Sequence, residues 1–149
     1  MPPGTGDIQL SLAQTVAVRG AVIVTTPQDI ALSDARKGIE MFNKVGVPVL
    51  GVVENMSMHT CSNCGHAEAI FGSGGGERLA QDYGVDVIGR LPLDIKIREQ
   101  TDLGVPVVAS TLHPQLQEAY AELARGVHAQ ALAHEANGAA TPTISVEDD

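Results

Sequence analysis

Two short, unbroken apolar runs place the tightest limit on what this chain can fold into. Residues 21–26 read AVIVTT and residues 47–55 read VPVLGVVEN, and a run of this kind is typical of a strand that is buried on both faces. Between the runs, a helical pattern extends to about Lys44 and ends at Gly46. A buried strand, a helix and a second buried strand predict a parallel sheet flanked by helices.

The rest of the chain continues this alternation. Residues 26–29 (TPQD) predict a helix start that is capped by Thr26, and a polar loop follows the second strand over residues 56–75. The other predicted elements are a helix over 7–17, a flexible glycine hinge over 72–76, a helix over 76–83, a strand over 85–91, a short helix that ends at Leu103, an extended segment over 105–109 and a long helix whose apolar face holds Leu116, Tyr120, Leu123 and Val127.

These elements predict an α/β fold, part of a doubly wound, mostly parallel sheet flanked by helices. Only three or four strands are present, so one edge of the sheet is expected to lie open. Residues 1–135 are predicted to form the folded part. Residues 136–149 are rich in Gly, Ala, Thr, Ser and acidic residues and are predicted to form a disordered tail.

Composition excludes several functional classes. The 149-residue chain has the size of one domain, and its formal net charge of −9 argues against nucleic-acid binding, which needs clustered Lys and Arg. The sequence contains no signal segment and no apolar run long enough to span a membrane, so no membrane partner is expected. Two cysteines in one motif favour intracellular thiol or metal chemistry, and we expect a cytoplasmic protein.

Cys61 and Cys64 lie in the segment CSNCGH, and two thiolates at this spacing can both bind one metal ion or one iron of a cluster. Four interpretations remain open. The pair could form a zinc site with His59 and His66, act as a redox dithiol, or serve as two buried structural cysteines. Alternatively, a second copy of the chain could supply another pair, which matches a Cys₄ zinc site or a [4Fe–4S] cluster on the twofold axis of a homodimer.

Local sequence disfavours the first three interpretations. Ligands within eight residues are closer together than the separated pairs of ordinary zinc sites. A redox dithiol normally needs a helix that begins at the motif, whereas GHAEAIFGSGGG resembles a loop. A polar, glycine-flanked loop is also a poor place to bury thiols.

The N-terminal stretch PPGTGD resembles a phosphate-binding loop in part. Asp7 stands where such a loop needs a lysine, so a primary phosphate loop is excluded. The backbone N–H groups of Gly4, Thr5 and Gly6 could still face a γ-phosphate from the opposite side, as a switch segment does. A plain glycine turn that caps a helix is the alternative.

Polar residues follow two of the predicted strands. Asn55 ends the second strand, and Pro92 and Asp94 follow the third. Because open α/β sheets bind ligands at the carboxyl ends of their strands, these residues could form two walls of one pocket. The carboxamide of Asn55 could read a purine edge, although Asn55 could equally serve as a simple strand stop and Asp94 as a helix cap.

Taken together, the motifs resemble the Mrp/ApbC-type P-loop ATPases, which are iron–sulfur cluster carriers related to the MinD group. The resemblance covers roughly residues 1–125, and the joint pattern is more specific than any single motif. The segments that carry it occur here in the family's order: PPGTGDIQLSL, TTPQ, GVVENMS, CSNCGH, IFGSGGG, GRLPLDIKIRE and GVPVV.

This resemblance implies roles for the candidate residues. Cys61 and Cys64 would hold a [4Fe–4S] cluster across a homodimer through the cysteine loop and deliver it to client apoproteins. Residues 3–7, from Pro3 to Asp7, would form the switch segment near the γ-phosphate of ATP, with Mg²⁺ bound nearby in the intact protein. Asn55 and residues 92–94 would hold the adenine. The family's Walker A lysines are absent from this sequence, so we expect this polypeptide alone neither to bind ATP tightly nor to hydrolyse it.

Overall fold

A computed structural model describes residues 7–109 and 113–136 of the chain. Those residues form five α-helices, five strands and one 3₁₀ turn. The helices are α1 (Asp7–Thr15), α2 (Asp29–Lys44), α3 (Gly75–Tyr83), α4 (Ile95–Asp102) and α5 (Pro114–Ala136). The strands are β1 (Ala21–Thr25), β2 (Val49–Glu54), β3 (His59–Thr60), β4 (Ala67–Glu68) and β5 (Val87–Arg90).

The three longer strands form a parallel sheet in the order β1–β2–β5. Every residue of β2, the central strand, is buried, as its continuous apolar run predicts. The register pairs Thr25 with Glu54 and Glu54 with Arg90, so the carboxyl ends of all three strands meet at one edge. Polar residues that follow these strands are therefore brought together.

Helices cover both faces of this sheet. Val87 packs against the core cluster that contains Leu32 of α2 and Leu79 of α3. The next residue, Ile88, lies against α5, where a Cβ added at Gly126 would stand 2.7 Å from its Cγ2 atom. These contacts place α2 and α3 over one face of the sheet and α5 over the other. The predicted fold is confirmed in this respect.

The start of α2 differs from the prediction. Gln28, in an extended conformation, is the N-cap residue, and Thr26 lies two residues before it. The reason is packing: Pro27 is buried against the first turn of α3, so the chain stays extended past Thr26 before it enters the helix. The prediction that Thr26 caps α2 is therefore wrong.

The segment after α4 was predicted to be extended, and this prediction is also wrong. Val107–Ala109 form a 3₁₀ turn, closed by a hydrogen bond from the Ala109 N–H to the Pro106 carbonyl at 2.9 Å. The Val105 N–H donates back to the Gln100 carbonyl at 3.0 Å, which folds the segment onto the end of α4. Local hydrogen bonds replace a sheet partner here.

The last two residues of the predicted glycine hinge belong instead to a tightly packed helix start, whereas Gly72 precedes the helix and is exposed. Gly75 and Gly76 belong to the first turn of α3 and are both buried. A Cβ added at Gly75 would lie 2.8 Å from the Pro27 carbonyl oxygen and 2.9 Å from the Pro27 Cα, which is too close for any side chain. The absence of a side chain lets α3 approach the backbone that follows β1.

This packing predicts opposite effects for alanine at two glycines. Gly75→Ala is expected to lower the free energy of unfolding by about 1–3 kcal/mol, because backbone atoms must move to admit the methyl group. Gly38→Ala is the matched control, since no atom lies within 4 Å of an added Cβ at Gly38 in α2. It should raise stability by about 0.5–1 kcal/mol through helix propensity. Urea unfolding of the two variants measures both effects, and equal changes would contradict the packing argument.

The sheet has the open edge that the sequence predicts. Among the described residues β1 pairs with β2 alone, and Val24 on β1 remains 62% exposed. A groove of about 680 Å³ runs along this edge between α1, β1 and α2.

No described helix combines the length and apolar character needed to cross a membrane. The predicted tail lies outside the described residues from position 137 onward, and α5 extends to Ala136.

Candidate metal centre

The two cysteines lie in the turn of a β-hairpin that the sequence did not reveal. β3 and β4 pair antiparallel, with Thr60 opposite Ala67. The Cys61 N–H donates to the His66 carbonyl at 2.9 Å, and the Gly65 N–H donates to the Cys61 carbonyl at 2.9 Å. Gly65 has φ +72°, a conformation that glycine adopts without strain. We call residues 61–64 the cysteine turn.

Both sulfur atoms are accessible thiols. Cys61 is half-buried and Cys64 is exposed, and neither forms a disulfide. Hydrogen bonding lowers the pKa of the Cys61 thiol: the backbone N–H of Cys64 contributes most, followed by the backbone N–H of Asn63. Because the thiolate is the metal-binding form of cysteine, these hydrogen bonds favour the form of Cys61 that a metal would require.

The lowered pKa predicts different alkylation profiles for Cys61 in the folded and the unfolded metal-free protein. The lowered pKa means that Cys61 is deprotonated at a lower pH in the folded chain than in the unfolded chain, so its alkylation should become fast at a lower pH. Mass-spectrometric mapping of iodoacetamide modification between about pH 6 and pH 10 separates the two sites. Identical Cys61 profiles in native and urea-unfolded protein would contradict the hydrogen-bonded turn.

The zinc site that one chain could complete is not assembled. Among the described residues no group of three or more His, Cys, Asp or Glu side chains is placed to hold a metal ion. The His59 ring is instead hydrogen-bonded through Nδ1 to the Leu93 carbonyl at 3.0 Å, and His66 is exposed. No helix begins at the cysteine turn, so the dithiol arrangement with a helix N-terminus is absent from this part of the structure as well.

The structure brings the predicted nucleotide residues Asn55 and Pro92 to the same edge of the sheet. The Asn55 N–H donates to the Thr25 carbonyl at 2.7 Å, which continues the β1–β2 pairing. The Leu91 N–H donates to the Glu54 carbonyl at 2.9 Å, so Asn55 and Pro92 leave two neighbouring strands side by side. Both side chains are half-buried. A ligand role at this edge remains a prediction.

Asp94 has a structural role that the sequence allowed as the alternative. Its Oδ1 atom accepts a hydrogen bond from the Lys96 N–H at 2.8 Å, and Asp94 is the N-cap of α4. Because Ser, Thr, Asp and Asn at this position stabilise a helix, the cap accounts for Asp94 without a ligand. The same contact fixes the direction in which the segment after β5 enters α4.

The switch-like segment falls largely outside the described residues. Pro3, Gly4, Thr5 and Gly6 are among the residues that the structure leaves undescribed, and Asp7 is the first residue of α1. The helix predicted after this segment is therefore confirmed. The phosphate-facing role of these residues stays a prediction.

Glu54 lies at the carboxyl edge of the sheet, beside the candidate site, and was not predicted from the sequence. It is the last residue of β2, it is only 3% exposed, and its Oε2 atom accepts the Gly76 N–H at 2.7 Å. Its Oε1 atom lies 4.0 Å from the Arg90 Nε atom, and Arg90 also forms an ion pair with Glu77. Arg90 lowers the pKa of the Glu77 carboxyl group. The signal available in the sequence was a charged residue at the end of an apolar run.

The fold and the site together define an α/β protein with a helix-covered parallel sheet and an accessible thiol pair beside the edge where such sheets bind ligands. Comparison with known proteins gives the family. The chain belongs to the NUBPL iron-transfer P-loop NTPase family within the ParA group, whose model matches residues 1–128. The resemblance stated from the motifs is therefore confirmed.

Individual relatives agree with this assignment. An iron–sulfur cluster carrier protein of Pseudomonas fragi is 64% identical over 124 residues, covering 83% of this chain and 43% of the relative. The structure of an ADP-bound nucleotide-binding protein of Archaeoglobus fulgidus matches with a TM-score of 0.60 and 40% identity, covering 70% of this chain and 43% of that one. The Mg-ADP complex of MinD from Pyrococcus horikoshii matches with a TM-score of 0.65 and 25% identity, covering 89% and 50%.

These matches confirm the predicted fold class, since the neighbours share the helix-flanked parallel sheet. The chain spans less than half the length of the curated relative described above. What the whole relatives bind and do is therefore carried to this chain only as a proposal.

Proposed function

We propose that this protein carries an iron–sulfur cluster as cargo, bound through Cys61 and Cys64, and delivers it to client apoproteins in the cytoplasm, where thiols stay reduced. The observation that carries the proposal is an incomplete ligand set. Two accessible thiols lie at the tip of a hairpin, and no third metal-binding side chain accompanies them among the described residues. The name of the Pseudomonas fragi relative supports the same cargo.

A second copy of the chain would complete the ligand set. A [4Fe–4S] cluster takes four cysteine thiolates, and a twofold axis through the cluster would supply two from each chain. The segment from residue 56 to residue 76 contains one charged residue, Glu68, in a chain of net charge −9. Two copies can therefore approach through this segment with little charge repulsion, and the exposed side chains of Met58 and Ile70 provide apolar contact area.

Delivery would proceed by ligand exchange. A client thiol loses its proton and binds one cluster iron, while the bond between that iron and the sulfur of Cys64 breaks and Cys64 takes up a proton. One iron–sulfur bond forms and one breaks, so no oxidant or reductant is needed. Cys64 is the more exposed of the two ligands, so it is the first that a client thiol can reach.

An adenine nucleotide is the second proposed ligand, bound with Mg²⁺ in an intact carrier. Asn55 and Pro92 lie side by side at the carboxyl edge of the sheet, and Asp94 caps the helix that follows. The half-buried carboxamide of Asn55 has the donors and acceptors that an adenine edge requires. The ADP complexes of the two structural relatives support this assignment.

Cluster transfer tests the proposal directly. The chain is reconstituted anaerobically with iron and sulfide, purified, and mixed with an apo-ferredoxin whose own cluster has been removed. The expected result is loss of visible absorbance from the carrier and its appearance in the ferredoxin, at a rate that an iron chelator in solution does not reduce. Binding of one zinc ion per chain, with no cluster formed, would instead support the alternative function, a zinc-binding structural or interaction module that transfers no cluster.

A further inference from the structure

We call β3, the cysteine turn and β4 together (residues 59–68) the cysteine hairpin. Its hydrogen bonds to the rest of the described structure are made on the side of β3. The Ser57 N–H and the Ser57 hydroxyl both donate to the Leu91 carbonyl, at 3.0 Å and 3.1 Å. The Leu93 N–H donates to the Met58 carbonyl at 2.9 Å, and His59 forms a parallel bridge with Leu93. The chain entering the cysteine turn therefore lies directly against the chain leaving β5.

The His59 side chain adds to this attachment. Its Nδ1 atom is 3.0 Å from the Leu93 carbonyl oxygen. A carbonyl can only accept, so Nδ1 carries the proton and donates it to this bond. The other strand of the hairpin, β4, pairs with β3 among the described residues, and both of its residues are exposed. The orientation of the hairpin is thus determined on the β3 side.

The segment that contacts the hairpin through these hydrogen bonds is the one that the proposed function places beside an adenine nucleotide. Residues 91–94 connect β5 to α4 and end at the Asp94 cap. We propose that Ser57 and His59 are positioning residues that hold the cysteine turn against residues 91–94 and so fix the orientation of the two sulfur atoms. This inference rests on the proposed function for the cluster that those sulfur atoms would bind.

Hydrogen exchange of the metal-free 149-residue chain tests the coupling without a bound ligand. His59→Ala is expected to speed exchange of the Leu93 and Cys61 N–H groups by about two- to tenfold, the range expected from the loss of one hydrogen bond. His59→Asn should restore slow exchange, because the asparagine amide can donate from the position of Nδ1. The matched control is His66→Ala, which removes an exposed imidazole of the same hairpin and should leave both rates unchanged.

A second perturbation comes from the opposite side of the contact. Asp94→Ala removes the α4 cap, and it should speed exchange of the Cys61 N–H in the parent chain but have a smaller effect in the His59→Ala background, where the Ser57 contacts remain. An Asp94→Ala effect of the same size in both backgrounds would overturn the coupling. So would a His59→Ala effect confined to residues 58–60.

Cluster loading then separates positioning from ligation. His59→Ala is expected to load as much iron as the parent and to lose it to a chelator about two- to tenfold faster, with His59→Asn close to the parent. Failure of His59→Ala to load any cluster would identify His59 as a ligand and overturn the positioning role. If the parent itself loads no cluster while the exchange results hold, the proposed cargo is wrong and the mechanical coupling stands.

Discussion

Replacing either Cys61 or Cys64 with serine is expected to reduce the iron bound after anaerobic reconstitution from about four atoms per two chains to nearly none. In a twofold arrangement each substitution removes two of the four ligands, because both copies carry it. The serine hydroxyl stays protonated near neutral pH and does not replace a thiolate. Total iron and acid-labile sulfide per chain measure the effect.

The segment offers its own control for this experiment. Ser62→Ala changes a residue between the two cysteines and keeps both thiols, so it should load as much iron as the parent. Full iron loading of the Cys61→Ser variant would contradict the assignment of Cys61 as a cluster ligand. A loss in Ser62→Ala as large as in the cysteine variants would point to the conformation of the turn rather than to its sulfur atoms.

Glu54→Ala is expected to be the most destabilising substitution at the carboxyl edge of the sheet, lowering the free energy of unfolding by about 2–4 kcal/mol. Glu54 is buried, and its carboxylate receives the Gly76 N–H at the start of α3. Alanine would leave that N–H without its partner and would remove the negative charge that faces Arg90. Urea unfolding followed by circular dichroism measures the loss.

Glu54→Gln provides the comparison. The glutamine carbonyl can still accept the Gly76 N–H, so the cost should fall to roughly 1 kcal/mol, with the difference reflecting the charge. A Glu54→Ala variant as stable as the parent would show that α3 does not depend on this contact. The cysteine hairpin would be expected to keep its attachment to residues 91–94 in either case, because Ser57 and His59 make those bonds.

The parallel sheet could be predicted because each of its strands has a recognisable pattern in the local sequence. The runs around β1 and β2 are continuously apolar, and the segment of β5 follows a helix at the spacing of a βαβ unit. β3 and β4 could not be predicted, since each has two residues and exists only through the antiparallel register between them. The cap of α2 was misplaced because burial of Pro27, a tertiary contact, overrides the local preference for Thr26.

The residues of the candidate site also fall into two groups, those that local sequence predicts and those whose role depends on distant contacts. The spacing of Cys61 and Cys64 is by itself typical of metal or cluster ligands, so these candidate ligands could be named without a structure. The importance of Glu54 depends on the Gly76 N–H, which is far away in sequence, and that of His59 depends on the Leu93 carbonyl. Neither partner can be inferred from periodicity or composition. Long-range backbone contacts of this kind become visible only once the fold is known.

Native mass spectrometry of the reconstituted protein is the most direct test, because it counts polypeptides and metal atoms in the same particle. The expected species contains two polypeptides, four irons and four sulfides, and it separates into single, metal-free polypeptides when the cluster is removed. A single polypeptide that retains its metal through its own side chains would contradict the shared site, and with it the proposal that this protein carries a cluster between two copies of itself.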